Sequence, residues 1–368
     1  MKKKAWIWAA AVTLLACVCV AVMRPGAQAQ DPAALAAEAC RDLWDSADGW
    51  DQAKTDEAEQ YLIGQGYPVL DTDGVYPTYL ANSGELRSFW DSVQSGKKAE
   101  LEIIKFRENG GFFHYLFRKE GESESVTCTI IARGGSVESQ EIYPVYDWAL
   151  ADWDEFYYQI YPEDFHYDKY AQIALNPPDR ELCDWNQTYI EPVGYQFVNL
   201  FLCDWQEGEW GELSFSDLFD YLHRMRYGGL PDESGWPYMG DPSYVMVPAA
   251  VFEKTVMPYF AISLENFREA ALYDEEADIY PWWVIHTNMM IHYPRLESHV
   301  TACSSNPDGT VTLQVNVTSP DYIAESIFRH EVTVRLLDGG GFQYVGNRVT
   351  YVSEYGLPPA EPRRTLEK

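Results

Sequence analysis

The stretch Val311-Thr312-Leu313-Gln314-Val315-Asn316-Val317-Thr318 alternates apolar and polar residues without a break. A period of two is that of a strand with one buried and one wet face, as antiparallel sheets have. Phe328 to Leu337 and Phe342 to Val352 follow, joined by the turn Asp338-Gly339-Gly340-Gly341, so the strand sits in a meander. Upstream lie two helical patterns. Pro248 opens the first, which runs through Met257, and Ser263 caps the second, with Leu264, Phe267 and Leu272. Helices covering an antiparallel meander predict an α+β unit over residues 245–358, followed by a charged, proline-bearing tail at 359–368.

The N-terminal part repeats this logic. Asp31-Pro32 starts a helix with Leu35, Ala39 and Leu43 on one face, and a second helix begins near Thr55. A third follows Asn82-Ser83-Gly84-Glu85, with Asn82 as the expected cap, and carries Leu86, Phe89, Trp90 and Val93. Glu100 to Phe106, Phe112 to Phe117 and Ser125 to Ile131 then read as strands turning at Asn109-Gly110-Gly111 and Lys119-Glu120-Gly121. The whole is expected to be α+β, with helices packed on antiparallel β-meanders in two or three domains. These are an N-terminal α+β domain at 31–142, an aromatic and acidic region at 143–229 that is either separate or continuous with it, a linker at 230–244 and the C-terminal domain.

Residues 143–170 interleave Trp148, Trp153, Phe156, Tyr157, Tyr158 and other aromatics with carboxylates. Leu150, Trp153, Tyr157 and Ile160 fall at helical spacing and predict a helix there. Gly194 to Leu202 reads as a buried strand. Ser214-Phe215-Ser216-Asp217 opens a helix with Arg224 and Arg226 in its last turn, stopped by Gly228-Gly229.

The chain has 368 residues, with 57 acidic against 27 basic side chains and a net charge of −30. That sign excludes a nucleic-acid binder, which needs a basic footprint. A hydrophobic fraction of 46% and an aromatic fraction of 15% exclude extensive disorder. Lys2, Lys3 and Lys4, the uncharged run Ala5 to Met23, and Ala27-Gln28-Ala29 have the order of a secretory signal peptide over residues 1–29. Two alternatives stay open: an uncleaved anchor, and lipidation at Cys17 of Leu14-Leu15-Ala16-Cys17. All three place the body outside the cytoplasm, and membrane contact is expected through this segment alone. Removal of Lys2, Lys3, Lys4 and Arg24 takes the net charge from −30 to −34.

The run Tyr189-Ile190-Glu191-Pro192-Val193-Gly194-Tyr195-Gln196, with Asn199-Leu200-Phe201-Leu202-Cys203-Asp204-Trp205 and Leu213-Ser214-Phe215-Ser216-Asp217-Leu218, resembles a domain-of-unknown-function family of secreted or lipoprotein-type proteins from Gram-positive anaerobic bacteria. Tyr259-Phe260-Ala261-Ile262-Ser263, Tyr273-Asp274 and Tyr280 extend the likeness over most of the chain. The resemblance implies an extracytoplasmic bacterial protein and carries over no activity and no catalytic residue.

Motif by motif, the chemistry is sparse. GxSxG, HExxH, Walker A, GxGxxG and a full EF-hand loop are all missing from the sequence. Asp71-Thr72-Asp73-Gly74 reads as a turn, because it lacks the terminal Glu of a calcium loop. His286, His292 and His299 have no ligand spacing, and His166 with Asp168 forms at most an orienting pair. No metal site and no cofactor are therefore expected. Cys183 and Cys203, each in a Leu-Cys-Asp-Trp tetrapeptide, form the candidate disulfide, with buried free thiols as the alternative. The candidate ligand-binding surface is Trp148, Trp153, Asp154, Trp185, Trp205 and Trp210, since rings stack on sugar faces while carboxylates accept from hydroxyls. The expected function is a non-catalytic binding or interaction module of the cell envelope, with an envelope glycan or protein as partner. The alternatives are a secreted hydrolase of glycans or peptides using paired carboxylates, and a spacer without a ligand.

Overall fold

The structure, a computed structural model, describes residues 31–45, 49–70, 79–151, 154–160, 171–239, 241–283, 295–319, 321–322 and 326–358. The leader, the Asp71–Gly74 turn, Trp153, His166, Asp168, His286, His292 and the tail lie outside the described residues.

Helix α1 (Pro32–Trp44) starts where the sequence predicts, with Pro32 in the first turn and the Asp31 side chain accepting from the Ala33 amide. Asp51 caps α2 (Gln52–Gly64) in the same way, accepting from the Lys54 amide. Both lie on a six-stranded sheet of order β2-β1-β3-β4-β5-β6, formed by β1 (Val69–Leu70), β2 (Leu80–Ala81), β3 (Ala99–Phe106), β4 (Phe112–Glu120), β5 (Ser123–Ile131) and β6 (Val137–Pro144). Alternation along β3 divides two cores. Ile104 and Phe106 meet Leu35, Cys40 and Leu62 of the two helices, whereas Leu101 and Ile103 meet Leu86 and Phe89 of α3 (Gly84–Gln94). Asn82 does not cap α3. It adopts φ 56°, and its side chain donates to the Ile63 and Tyr67 carbonyls instead.

The helix expected across Leu150–Ile160 is a β-hairpin. β7 (Asp147–Leu150), β8 (Glu155–Gln159) and β9 (Ala171–Ala174) form an antiparallel three-stranded sheet that joins the α3-side core. Phe156, fully buried, has ring contacts with Phe89, Trp90, Phe117 and Trp148. Consecutive aromatic residues suit a strand covered on both sides, and here packing on both faces overrides the helical spacing.

Helix α4 (Arg180–Tyr189) is capped by Asp179, which accepts from the Leu182 amide. Residues 194–202 bury Tyr195, Val198, Leu200 and Phe201 but form turns rather than the expected strand. A 3-10 turn (Phe215–Leu218) leads into α5 (Phe219–Tyr227), which ends at Gly228 with φ 77°, a left-handed position that suits glycine. A second three-stranded sheet contains β11 (Tyr238–Met239), β12 (Asp241–Pro248) and β13 (Ile279–Trp283), so strand structure occupies part of the 230–244 stretch. Helices α6 (Ala249–Val256) and α7 (Leu264–Ala270, capped by Ser263) follow as expected.

The C-terminal sheet is five-stranded and antiparallel, of order β10-β17-β16-β15-β14. Its strands are β10 (Trp205–Gln206), β14 (Glu297–Ser305), β15 (Val311–Thr318), β16 (Phe328–Leu336) and β17 (Phe342–Val352). Leu313, Val315 and Val317 enter one aromatic core with Phe201, Phe215, Phe219, Phe252, Phe267 and Tyr280. The chain is thus α+β throughout. Among the described residues no helix is long and apolar enough to cross a membrane.

Candidate functional site

A cleft of about 1000 Å³ opens between the β3–β4 and β8–β9 edges of the N-terminal part and α4, the loop after it, and β14 of the C-terminal part. Helix α4 presents Leu182, Cys183, Asn186 and Gln187 to it, one face of a 3.6-residue repeat. On the opposite wall β9 supplies Gln172 and Ile173, and Asp154 and Glu155 lie at the β7–β8 turn.

Polar side chains tie the walls together. Gln172 Nε2 donates to Glu297 Oε2 at 2.7 Å, linking β9 to β14. Arg295 holds the other Glu297 oxygen at 2.9 Å. Asn186, only 6% exposed, donates from Nδ2 to Glu191 Oε1 at 2.7 Å and to the Ser298 carbonyl at 2.9 Å. These two bonds fix its amide and leave Oδ1 buried with no hydrogen-bond partner among the described residues. Asp154, at φ 65°, pairs with Arg87 at 2.7 Å and accepts from Asn176 Nδ2 at 2.5 Å. Glu155 is buried and accepts from the Tyr157 hydroxyl.

Burial sets the chemistry of the remaining groups. It pushes the Tyr115 phenol up to about 12, with lesser contributions from Cys128 and Tyr143. Burial likewise raises the Cys183 thiol, and the nearby carboxylates of Asp179, Asp184 and Glu191 add to the shift. A thiol so placed is a poor nucleophile, although it lines the cleft. Tyr195 forms part of the wall and is driven well above the usual phenol range by burial. Its hydroxyl donates to His330 Nε2 at 3.0 Å. His330 Nδ1 then donates to Asn347 Oδ1 at 2.8 Å, and Asn347 Nδ2 donates to the Cys203 carbonyl at 2.9 Å. The amide's orientation, set by the Cys203 carbonyl, thereby determines which histidine nitrogen carries the proton.

Of the candidate ligand-binding residues, Asp154 lines this cleft. Trp148 turns inward, 7% exposed and edge-on to Phe89 at 5.3 Å between ring centres. Trp205 is buried, donating from Nε1 to the Leu200 carbonyl at 2.8 Å, and its ring stacks on half-buried Trp210. It borders a second hollow of about 540 Å³ beside β10, with Asp204, Glu331 and Arg348. Trp185 is half-buried against Tyr189 on α4. The described tryptophans are therefore spread over different parts of the molecule.

Cys183 and Cys203 are not joined, which corrects the disulfide expectation: all five described cysteines are free. Cys183 faces the cleft from α4, whereas Cys203 Sγ donates to the Asn199 carbonyl at 3.2 Å.

Gln172, Asn186 and Glu297 escape the sequence reading because no motif marks them, and Glu191 and Tyr195, although part of the run that carries the family resemblance, gain no role from it. The one available signal was the Asp179 cap, which would have oriented α4 and its amide face. Among the described residues a single group of metal-ligating side chains comes together, Asp31, Glu102 and His114, and none of them lines the cleft.

Fold and site together define an α+β protein with an interfacial cleft walled by amides, carboxylates and tyrosines. The family described as "Family of unknown function (DUF6070)" matches residues 27–363, and the chain belongs to it. No curated protein and no solved structure matches the chain.

Proposed function

We propose that this protein is a non-catalytic binding module of the bacterial cell envelope, exported by its leader, and that the cleft holds a hydroxyl-rich ligand, a segment of envelope glycan. The composition of the cleft walls carries this reading. Gln172, Asn176, Gln187 and Gln196 offer both donors and acceptors, five carboxylates (Asp154, Glu155, Asp179, Glu191, Glu297) offer acceptors, and Tyr115, Tyr158 and Tyr221 offer rings. That mixture matches sugar hydroxyls and the apolar faces of sugar rings.

The engagement of the acids favours binding over hydrolysis. A glycosidase needs one carboxyl kept protonated and another facing it across the bond. Here Asp154 and Glu297 are each held by an arginine, Glu191 by the Asn186 amide and Glu155 by a tyrosine hydroxyl. Export rests on the Lys2–Lys4 cluster, the apolar run to Met23 and the small-residue site after it.

The test is to screen the chain from residue 30 onward against glycans and cell-wall fragments, beside an Asn176→Ala/Gln187→Ala double variant at exposed cleft positions. Binding is expected, weakened about tenfold or more in the variant through the lost hydrogen bonds. A folded chain that binds no glycan or wall fragment overturns the ligand assignment, and release of a cleaved fragment overturns the non-catalytic one. Full-length protein in the cytosol with its leader intact overturns export.

A further inference from the structure

We propose that Asp31, Glu102 and His114 form a binding site for one zinc-type divalent cation. Their ligand atoms, one from each residue, all lie within 4.8 Å of one another, although the residues come from three separate elements. Glu102 is on β3 and His114 on β4. The register pairs Ile104 with His114 and Glu102 with Leu116, so both side chains stand on one face of the sheet. That face is the one covered by α1, where Ile104, Phe106 and Phe112 pack under Leu35 and Cys40. Asp31, at the start of α1, comes over the polar end of this same face.

The pair at the centre is already close. His114 Nε2 lies 2.7 Å from Glu102 Oε2, with the His114 side chain 12% and the Glu102 side chain 35% exposed. Two adjacent strands of one sheet fix their backbones, so the imidazole and carboxylate are held in place without a ligand. Asp31 is positioned in turn by its role as cap, which uses Oδ1 on the Ala33 amide and leaves the second oxygen for a cation. Ligands of a tetrahedral zinc ion sit about 2.0–2.2 Å from the metal and so about 3.4 Å from one another. Reaching that spacing requires the His114–Glu102 contact to open by less than an ångström and Asp31, which is exposed, to close in.

Chemistry selects the ion. One imidazole nitrogen with two carboxylate oxygens suits Zn²⁺ and its neighbours, with water in the fourth position on the exposed side. Ca²⁺ and Mg²⁺ take oxygen ligands, so the nitrogen disfavours them. The net charge of −30 raises the local concentration of any cation.

The site was illegible in the sequence because Asp31 is far from the other two in the chain, and Glu102 and His114 follow no ligand spacing. A plain histidine–glutamate pair beside a helix cap is the competing account, and the two differ in what zinc does. The experiment uses the full mature chain without a polyhistidine tag, stripped with chelator and titrated with Zn²⁺ against a competing dye. One equivalent is expected to bind and to raise the melting temperature. Asp31→Asn keeps the cap at an exposed position and so should fold, yet should weaken zinc binding about tenfold or more. His114→Ala, checked for folding by circular dichroism, should abolish it. Any of three results overturns the proposal: no zinc bound at micromolar concentration, zinc bound equally by wild type and the folded variants, or Ca²⁺ and Mg²⁺ bound as tightly as Zn²⁺.

Discussion

His330 shows how one side chain couples the cleft wall to the core. It is 1% exposed on β16, between the Tyr195 hydroxyl at 3.0 Å and Asn347 Oδ1 at 2.8 Å. Burial holds its imidazole down to about 4, against an ordinary value of 6.5, although the Asn347 hydrogen bond works the other way. Its hydrogen-bond partners, Tyr195 and Asn347, are both neutral, so burial keeps the imidazole neutral in the folded state. The unfolded chain takes up this proton near pH 6.5 and the folded chain only near 4, so the stabilisation is complete above 6.5 and is lost as the pH falls toward 4. The shift is worth roughly 3 kcal/mol over the whole window. Urea unfolding at a series of pH values between about 7 and about 5, above the main carboxylate titrations, should show stability falling with acid. The slope should flatten in His330→Gln. An equal slope in that variant would assign the acid sensitivity to other groups.

At the scale of elements, the hairpin of β7 and β8 gives the sharpest contrast between pattern and packing. On a helical reading, the stripe Leu150, Trp153, Tyr157 and Ile160 faces the core and Phe156 lies off it. In the strand, Phe156 is fully buried among Phe89, Trp90, Phe117 and Trp148. Phe156→Ala should therefore cost about 3–5 kcal/mol, the range for removing a buried aromatic ring, whereas an off-stripe position would cost less than about 1. Chemical denaturation of the single variant separates the two. The elements that were legible were those with both a period and punctuation. α1 has its Asp31-Pro32 start, α5 its Gly228 stop, β3–β5 their Gly-bearing turns and β15 its strict alternation. β6 was missed because Val137 and Ile142 are exposed on a sheet edge, and the strand shows no clean buried–wet alternation. The segment around Phe201 is buried but aperiodic, so it mimicked a strand. The cleft was the least legible feature. Its walls meet through Gln172 and Glu297, a pair 125 residues apart that no local pattern joins.

For the whole molecule, charge is the dominant long-range force. With 57 acidic and 27 basic side chains, complete pairing of every base would still leave 30 acids without a partner. The ion pairs that do form are mostly at the surface. Lys98 with Glu120 and Arg118 with Glu100 are largely exposed, and such pairs contribute about 0–1 kcal/mol each. Screening therefore acts in two directions, weakening these few attractions and relieving a net repulsion spread over the entire surface. The excess of acids makes the second effect the larger. Raising sodium chloride from about 0.02 M to about 0.5 M cuts the screening length from roughly 20 Å to about 4 Å. That distance falls from the span of a whole sheet to little more than a single ion pair. The melting temperature at neutral pH should rise across this series, monitored by circular dichroism with zinc excluded by chelator. A protein of the same size with balanced acidic and basic charges should change little under the same conditions. A fall in melting temperature with salt would mean that specific ion pairs such as Arg87–Asp154 and Arg268–Glu253, rather than the summed repulsion, govern the stability of this chain.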